Sequence, residues 1–138
     1  MCVPDNHAAH IAGIVRDRHY RPMKRRKRLQ QDLARQRWPL LSNLMGCFFH
    51  QNLYLCYGSL DGAVAASARD GSLDHRRAIL KEWRDWNASV SGADDIRSEL
   101  ADCFSIAVRF EKPEEARRLM DAVHDRLIEE VRRETRRD

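Results

Sequence analysis

Six histidines and four cysteines supply the chemistry for metal binding or nucleophilic catalysis in this 138-residue sequence. Three of them fall close together: Cys47, His50 and Cys56. Two thiolates and an imidazole can hold zinc, but a structural site takes four ligands, and no fourth lies nearby in the sequence. A Cys47–His50 nucleophile pair would need a third group to orient the imidazole and an electropositive setting for the thiolate. Neither is visible. A structural thiol and a hydrogen-bonded histidine are the simpler reading. His7 and His10 have no carboxylate or cysteine at ligand spacing. Cys2, Cys47, Cys56 and Cys103 form no CxxC pair, and free, mostly buried thiols in a reducing cytoplasm are expected. The six glycines are scattered singly, so no phosphate-cradling loop exists. Carboxylate pairs such as Glu111/Glu115 and Asp121/Asp125 read as solvated helix faces. No catalytic residue, cofactor or metal is therefore expected, and the domain reads as a binder.

Elements must position whatever binds. The length suits one domain, and 43% hydrophobic with 33% charged residues argues against global disorder. No apolar run approaches the ~18 residues of a membrane span, and no signal peptide is visible, because the apolar stretch Ile11 to Val15 is too short. Charge divides the chain. Residues 1–37 hold 10 Lys/Arg and 3 Asp/Glu, a net of +7, whereas residues 38–138 hold 15 and 18, a net of −3. The overall +4 thus hides a mildly acidic domain behind a basic leader. Residues 1–37 are expected to be a basic, poorly ordered or partly helical N-terminal extension, and residues 38–138 the folded domain. Met23, directly before the run Lys24 to Arg28, reads as an alternative start.

From Trp38 onward apolar spacing becomes regular. Leu40, Leu41, Leu44, Met45, Phe48 and Phe49 mark one helix face, with Pro39 suited to its first turn. Gly46 within it suggests close approach of a neighbouring element. Leu53, Leu55 and Tyr57 alternate, which predicts extended chain. Ser59 and Ser72 are N-caps for helices over 60–69 and 73–88, the latter placing Ile79, Leu80, Trp83 and either Trp86 or Asn87 on one side. Ser91 to Asp94 resembles a capping box ahead of the stripe Ile96, Leu100, Cys103 and Phe104. Phe104, Ile106, Val108 and Phe110 alternate at strand period, and 53–57 is the only partner for them. Pro113 opens the longest helix, carrying Ala116, Leu119, Met120, Val123, Leu127 and Val131. The expected fold is mainly α: a compact bundle of four to five short helices with a long C-terminal helix and one short two-stranded pairing. Its core should contain Leu40, Leu44, Phe48, Leu55, Ile79, Leu80, Trp83, Ile96, Leu100, Leu119, Val123 and Leu127.

The most distinctive polar stretch runs from Trp38 through Pro39, Leu41, Asn43, Leu44, Gly46, Phe48, Phe49, His50, Gln51 and Leu55 to Tyr57, Gly58 and Ser59. It resembles the opening motif of the small helical immunity proteins of bacterial contact-dependent growth inhibition systems (CdiI type). The resemblance covers roughly residues 38–66. It departs at Asn52, where the family usually carries an aspartate, and at Leu53, where an aromatic is usual. Beyond residue 66 only the helix layout is similar.

The resemblance implies a cytoplasmic, non-enzymatic protein that binds the toxic C-terminal domain of a cognate effector and blocks it. Such toxins are often nucleases with basic clefts, which an acidic domain would suit. Because toxins differ within the family while the motif is shared, Asn43, Gly46, Phe49, His50, Gln51, Tyr57, Gly58 and Ser59 read as scaffold. Asn43, His50 and Tyr57 would then hydrogen-bond across the 50–59 loop. On the expected fourth helix, Asp95, Glu99 and Asp102 fall at i, i+4 and i+7, an acidic row for a basic toxin surface. The alternative is a nucleic-acid-binding protein using residues 24–37, although no recognised nucleic-acid-binding motif accompanies that basic segment. No membrane partner is expected.

Overall fold

The computed structural model describes residues 22–137. The expectations for Cys2, His7, His10 and the tail over residues 1–21 lie outside the described residues. Within them the chain is mainly helical: α1 (Pro22–Arg37), α2 (Pro39–Phe48), α3 (Leu53–Tyr57), α4 (Leu60–Arg69), α5 (Leu73–Ser89), α6 (Arg97–Cys103) and α7 (Pro113–Arg137). No strand occurs among the described residues.

Local chemistry sets most boundaries. Pro39 starts α2, and the Glu82 carboxylate on α5 accepts hydrogen bonds from the Leu40 and Leu41 amides at 2.9 and 3.0 Å. The Ser59 hydroxyl accepts from the Gly62 amide and the Ser72 hydroxyl from the His75 amide, capping α4 and α5. Glu114 and Glu115 stand in the first turn of α7, and Glu115 reaches back to accept from the Lys112 amide at 3.0 Å. The expected capping by Ser91 to Asp94 gives way to Asp95, whose carboxylate accepts from the Arg97 amide as α6 begins.

The long helix α7 packs on α4 and α5, α2 on α4 and α5, and α1 along α6. Between them lies a core whose largest enclosed side chains include Trp86, Phe49, Leu41 and Met45. Leu44, Ile79, Leu80, Trp83, Ile96, Leu100, Leu119, Val123 and Leu127 are buried as expected, and Leu40 and Phe48 are partly buried against the cluster.

Two expectations are corrected together. Residues 53–57 are helical, and 104–110 form no strand with them. Leu53 and Tyr57 sit four apart, a spacing that serves a helix as well as alternation does a strand. In α3 Leu53 is buried and Tyr57 half-buried, while Leu55 points outward at 87% exposure and leaves the predicted core. The 104–110 segment keeps its alternation without a partner strand. Phe104 and Ile106 are buried, Ser105 and Ala107 exposed, and the Ala107 amide donates to the Phe49 carbonyl at 2.9 Å. The other correction is in number: α1 and α3 raise the helices among the described residues above the four or five expected.

Helix α1 is tied to the domain. Ala34 is buried, Gln31 Nε2 donates to Ser105 Oγ at 2.9 Å, and the Cys103 sulfur lies 3.7 Å from Gln30 Oε1. The most elaborate tie is Arg76 on α5, which is 5% exposed. Its Nε and Nη2 donate to the carbonyls of Ala68 and Arg69 at the end of α4, at 2.6 and 2.8 Å, and its Nη1 bonds Glu134 of α7. One guanidinium thus satisfies carbonyls that the last turn of α4 leaves open and joins three helices.

Candidate functional site

The motif residues occupy α2, the turn after it, α3 and the start of α4. Phe49 is fully buried. The Phe48 and His50 rings flank Tyr57 at centroid distances of 5.6 and 6.3 Å. His50 Nδ1 accepts from the Asn52 amide at 3.0 Å, closing the turn between α2 and α3. The expected hydrogen bonding by Asn43, His50 and Tyr57 across the loop is thus replaced by ring packing and a local His50 turn. Asn43 is exposed, with its Oδ1 3.6 Å from Cys47 Sγ on the same helix, and Gln51 is exposed. Burial first, with Cys56 and Asp70 adding to it, pushes the Tyr57 hydroxyl above its ordinary pKa of 10.0. Gly58 ends α3 with φ +79°, donating its amide to the Tyr54 carbonyl.

Gly46 does not serve a close approach: a Cβ there would meet nothing within 4 Å. That role belongs to Gly62, whose Cβ would stand 2.2 Å from the Tyr57 carbonyl oxygen. Sequence reasoning passed over Gly62. Its position three residues after a capping serine, directly behind the motif, was the available signal.

Among the described residues Cys56 and Cys103 are free thiols. Cys56 is exposed rather than buried. His50 Nδ1 is engaged with backbone, not with a thiol. Among the described residues no group of three or more His, Cys, Asp or Glu is placed to hold a metal.

The acidic row is rearranged. Asp95 precedes α6 and is bound by Arg97, with Nη2 to Oδ2 at 2.8 Å. Bonding to Arg97 holds the Asp95 carboxyl below its ordinary range. Glu99 and Asp102 lie on α6 beside Cys103, whose thiol donates to Glu99 at 3.4 Å. Burial, then the Glu99 and Asp102 charges, push that thiol up to about 12. Arg97 also donates to the Phe110 and Glu111 carbonyls and feels the charges of Glu114 and Glu115. Asp95 therefore joins the acids at the start of α7 rather than a row along α6. The helix lying on α6 is the basic α1.

Beside that end of α7 opens a cleft of about 360 Å³. Its lining includes the apolar side chains Leu60, Val64, Val108, Phe110, Leu119 and Ala122. Tyr54, Asp61, Arg109, Glu115 and Arg118 complete it. Tyr54 is 61% exposed, and its neighbour Leu55 is the most exposed large apolar residue among the described ones. No sequence period marked this cleft, because α3, α4, α7 and the 104–110 segment each contribute part of it.

The described residues form a mainly helical fold in which the motif's aromatic side chains join two helices. Comparison of the sequence then assigns the family. Residues 37–127 match the CdiI immunity proteins, and the chain belongs to that family. Membership implies neutralisation of a protein toxin in contact-dependent growth inhibition, by proteins that are generally not enzymes. Neither the curated proteins nor the solved structures provided a match. Among the described residues no helix is long and apolar enough to cross a membrane.

Proposed function

We propose that this chain binds and blocks the toxic C-terminal domain of its cognate contact-dependent growth inhibition effector, in the cytoplasm of the cell that makes it. The carrying observation is family membership over residues 37–127. We take the toxin to be a nuclease with a basic active-site cleft. The −3 balance of residues 38–138 supports that reading through charge complementarity. Residues 38–138 serve as the toxin-binding domain and residues 1–37 as its extension. Asp95, Glu99 and Asp102 are the proposed acidic contacts, and Asn43, Gly46, Phe49, His50, Gln51, Tyr57, Gly58 and Ser59 the proposed scaffold of the domain.

The test is co-expression with the toxic C-terminal domain encoded immediately upstream. Protection of the cell and a stable complex are expected; growth arrest with both proteins present at equal levels overturns the reading. Asp95→Lys with Glu99→Lys should slow association most at low salt. Unchanged association at low and moderate salt removes these residues from the interface. The exposed Arg26, Lys27, Arg35 and Arg37 on α1 favour a second reading, nucleic-acid binding through residues 24–37. It requires a steeply salt-dependent affinity that Arg26→Glu with Lys27→Glu weakens.

A further inference from the structure

Helix α1 is docked with its apolar residues reversed. Toward the domain it turns Ala34, which is buried, with Gln30 and Gln31, half-buried against Cys103 and Ser105. Away from the domain stand Leu29 and Leu33, 58% and 53% exposed and one turn apart. A helix held by tertiary packing ordinarily buries its leucines and exposes its glutamines. The charge is equally one-sided. Residues 22–37 carry seven Lys/Arg against the single acid Asp32. Arg26, Lys27, Arg35 and Arg37 are exposed, and the helical period sets Arg26 and Arg37 on the face of the two leucines. Arg37 lies 3.5 Å from Asp85 and is still exposed.

We infer that this face of α1 lies on an anionic phospholipid surface. Leu29 and Leu33 enter the boundary between headgroups and acyl chains, about 5–10 Å deep, while the cations beside them meet lipid phosphates. The pairing of leucines with cations selects this occupant. A second copy of the chain would set one run of cations against another, and the basic toxin cleft proposed above would be repelled in the same way. A nucleic acid would take the cations and leave both leucines in water. A bilayer with acidic headgroups offers phosphate and hydrocarbon in adjacent layers. The expectation of no membrane partner rested on the lack of a spanning run, which a helix lying in the interface does not need. The inference goes beyond toxin neutralisation and does not rest on it.

The experiment sediments the full chain with vesicles of phosphatidylglycerol and phosphatidylcholine in equal parts, and with vesicles of phosphatidylcholine alone. The parent should bind the anionic vesicles, more weakly as salt rises, and leave the neutral ones in place. Leu29→Gln combined with Leu33→Gln keeps the charges and the helix propensity. It should weaken binding by about tenfold or more at an unchanged melting temperature. Arg26→Glu combined with Lys27→Glu should weaken it at least as much at low salt. Leu29→Trp should bind as the parent does, and its added emission should move to shorter wavelength on anionic vesicles. That variant decides if the double glutamine variant melts early. A parent chain that stays in solution beside anionic vesicles overturns the inference. So does glutamine-variant binding within about threefold of the parent, which would reduce the face to its cations. An emission from Leu29→Trp that does not move overturns it too. A parent that binds a short RNA or DNA duplex but no vesicle overturns it and gives α1 to nucleic acid.

Discussion

The indole of Trp38 donates to the Asp85 carboxylate at 2.7 Å, and the same carboxylate oxygen lies 3.5 Å from the Nε of Arg37. The Arg37 guanidinium in turn covers the Trp38 ring at 4.7 Å from its centroid. These contacts fasten the junction of α1 and α2 to α5. The family match begins at this junction, so α1 joins the matched region where α5 grips it.

One turn before Asp85, Glu82 caps α2 through two backbone amides. Glu82→Ala should cost about 1–2 kcal/mol, because Pro39 at the start of the helix brings no side-chain cap of its own. Glu82→Gln keeps an acceptor oxygen and should lose less than half of that. Urea unfolding of the three proteins gives the comparison; equal midpoints would show that water replaces the carboxylate.

Two helical glycines should respond oppositely to alanine. At Gly46, exposed and with open space around it, alanine should stabilise by roughly 0.5–1 kcal/mol. At Gly62 the new methyl meets the Tyr57 carbonyl, and alanine should destabilise by about 1–3 kcal/mol as α3 and α4 move apart. Thermal melts of both variants test the contrast. A stabilised Gly62→Ala would mean that the α3–α4 junction yields freely.

Arg76→Ala should be among the most damaging substitutions, costing about 3–5 kcal/mol. It leaves the Ala68 and Arg69 carbonyls and Glu134 without their shared partner. Lysine cannot fork to two carbonyls and a carboxylate at once, so Arg76→Lys should recover only a minor part. Denaturant midpoints for both variants decide this, and full rescue by lysine would reduce the site to its charge.

Trp83→Ala should cost about 3–5 kcal/mol. The side chain is 6% exposed, packs on His124 at 4.5 Å and Trp86 at 5.9 Å, and donates its Nε1–H to the Met120 carbonyl at 3.0 Å. A melting temperature within a few degrees of the parent would contradict this anchoring of α5 on α7.

Cys56 and Cys103 should differ in reactivity. Cys56 is exposed, whereas Cys103 is half-buried with its thiol pushed up to about 12 by burial and the neighbouring Glu99 and Asp102. At pH 8 iodoacetamide should label Cys56 well before Cys103, read by mass spectrometry of the intact chain. Because the folded thiol titrates above its ordinary value of 9.0, Cys103 binds its proton more tightly folded than unfolded. Its contribution to stability is complete below pH 9 and is lost as pH rises toward 12, and Cys103→Ser should flatten that alkaline decline. Equal labelling of both thiols at pH 8 would show that the carboxylates do not face the sulfur.

Residue order alone determined the elements whose signals are local. The apolar period from Ala116 to Leu127, the caps at Ser59 and Ser72, and the proline starts at Pro39 and Pro113 each act within a turn or two, so neighbouring residues suffice to read them. The motif from Pro39 to Ser59 likewise pointed to the family directly. Tertiary structure decided the rest. Whether 53–57 coils or extends turned on Leu55, whose type favours the core but whose place on a helix anchored by Leu53 and Tyr57 leaves it outside. The 104–110 segment needed a partner strand that the helical 53–57 could not be, so it kept its in-and-out alternation and hydrogen-bonded to Phe49 instead. Asp95 left the α6 row because the helix starts at Arg97, and the bonds of Arg97 to Asp95 and to the carbonyls before α7 hold the pair at that end. The cleft was the least legible feature, since its lining converges from segments more than fifty residues apart in the chain, and no local period records which distant side chains will share a wall.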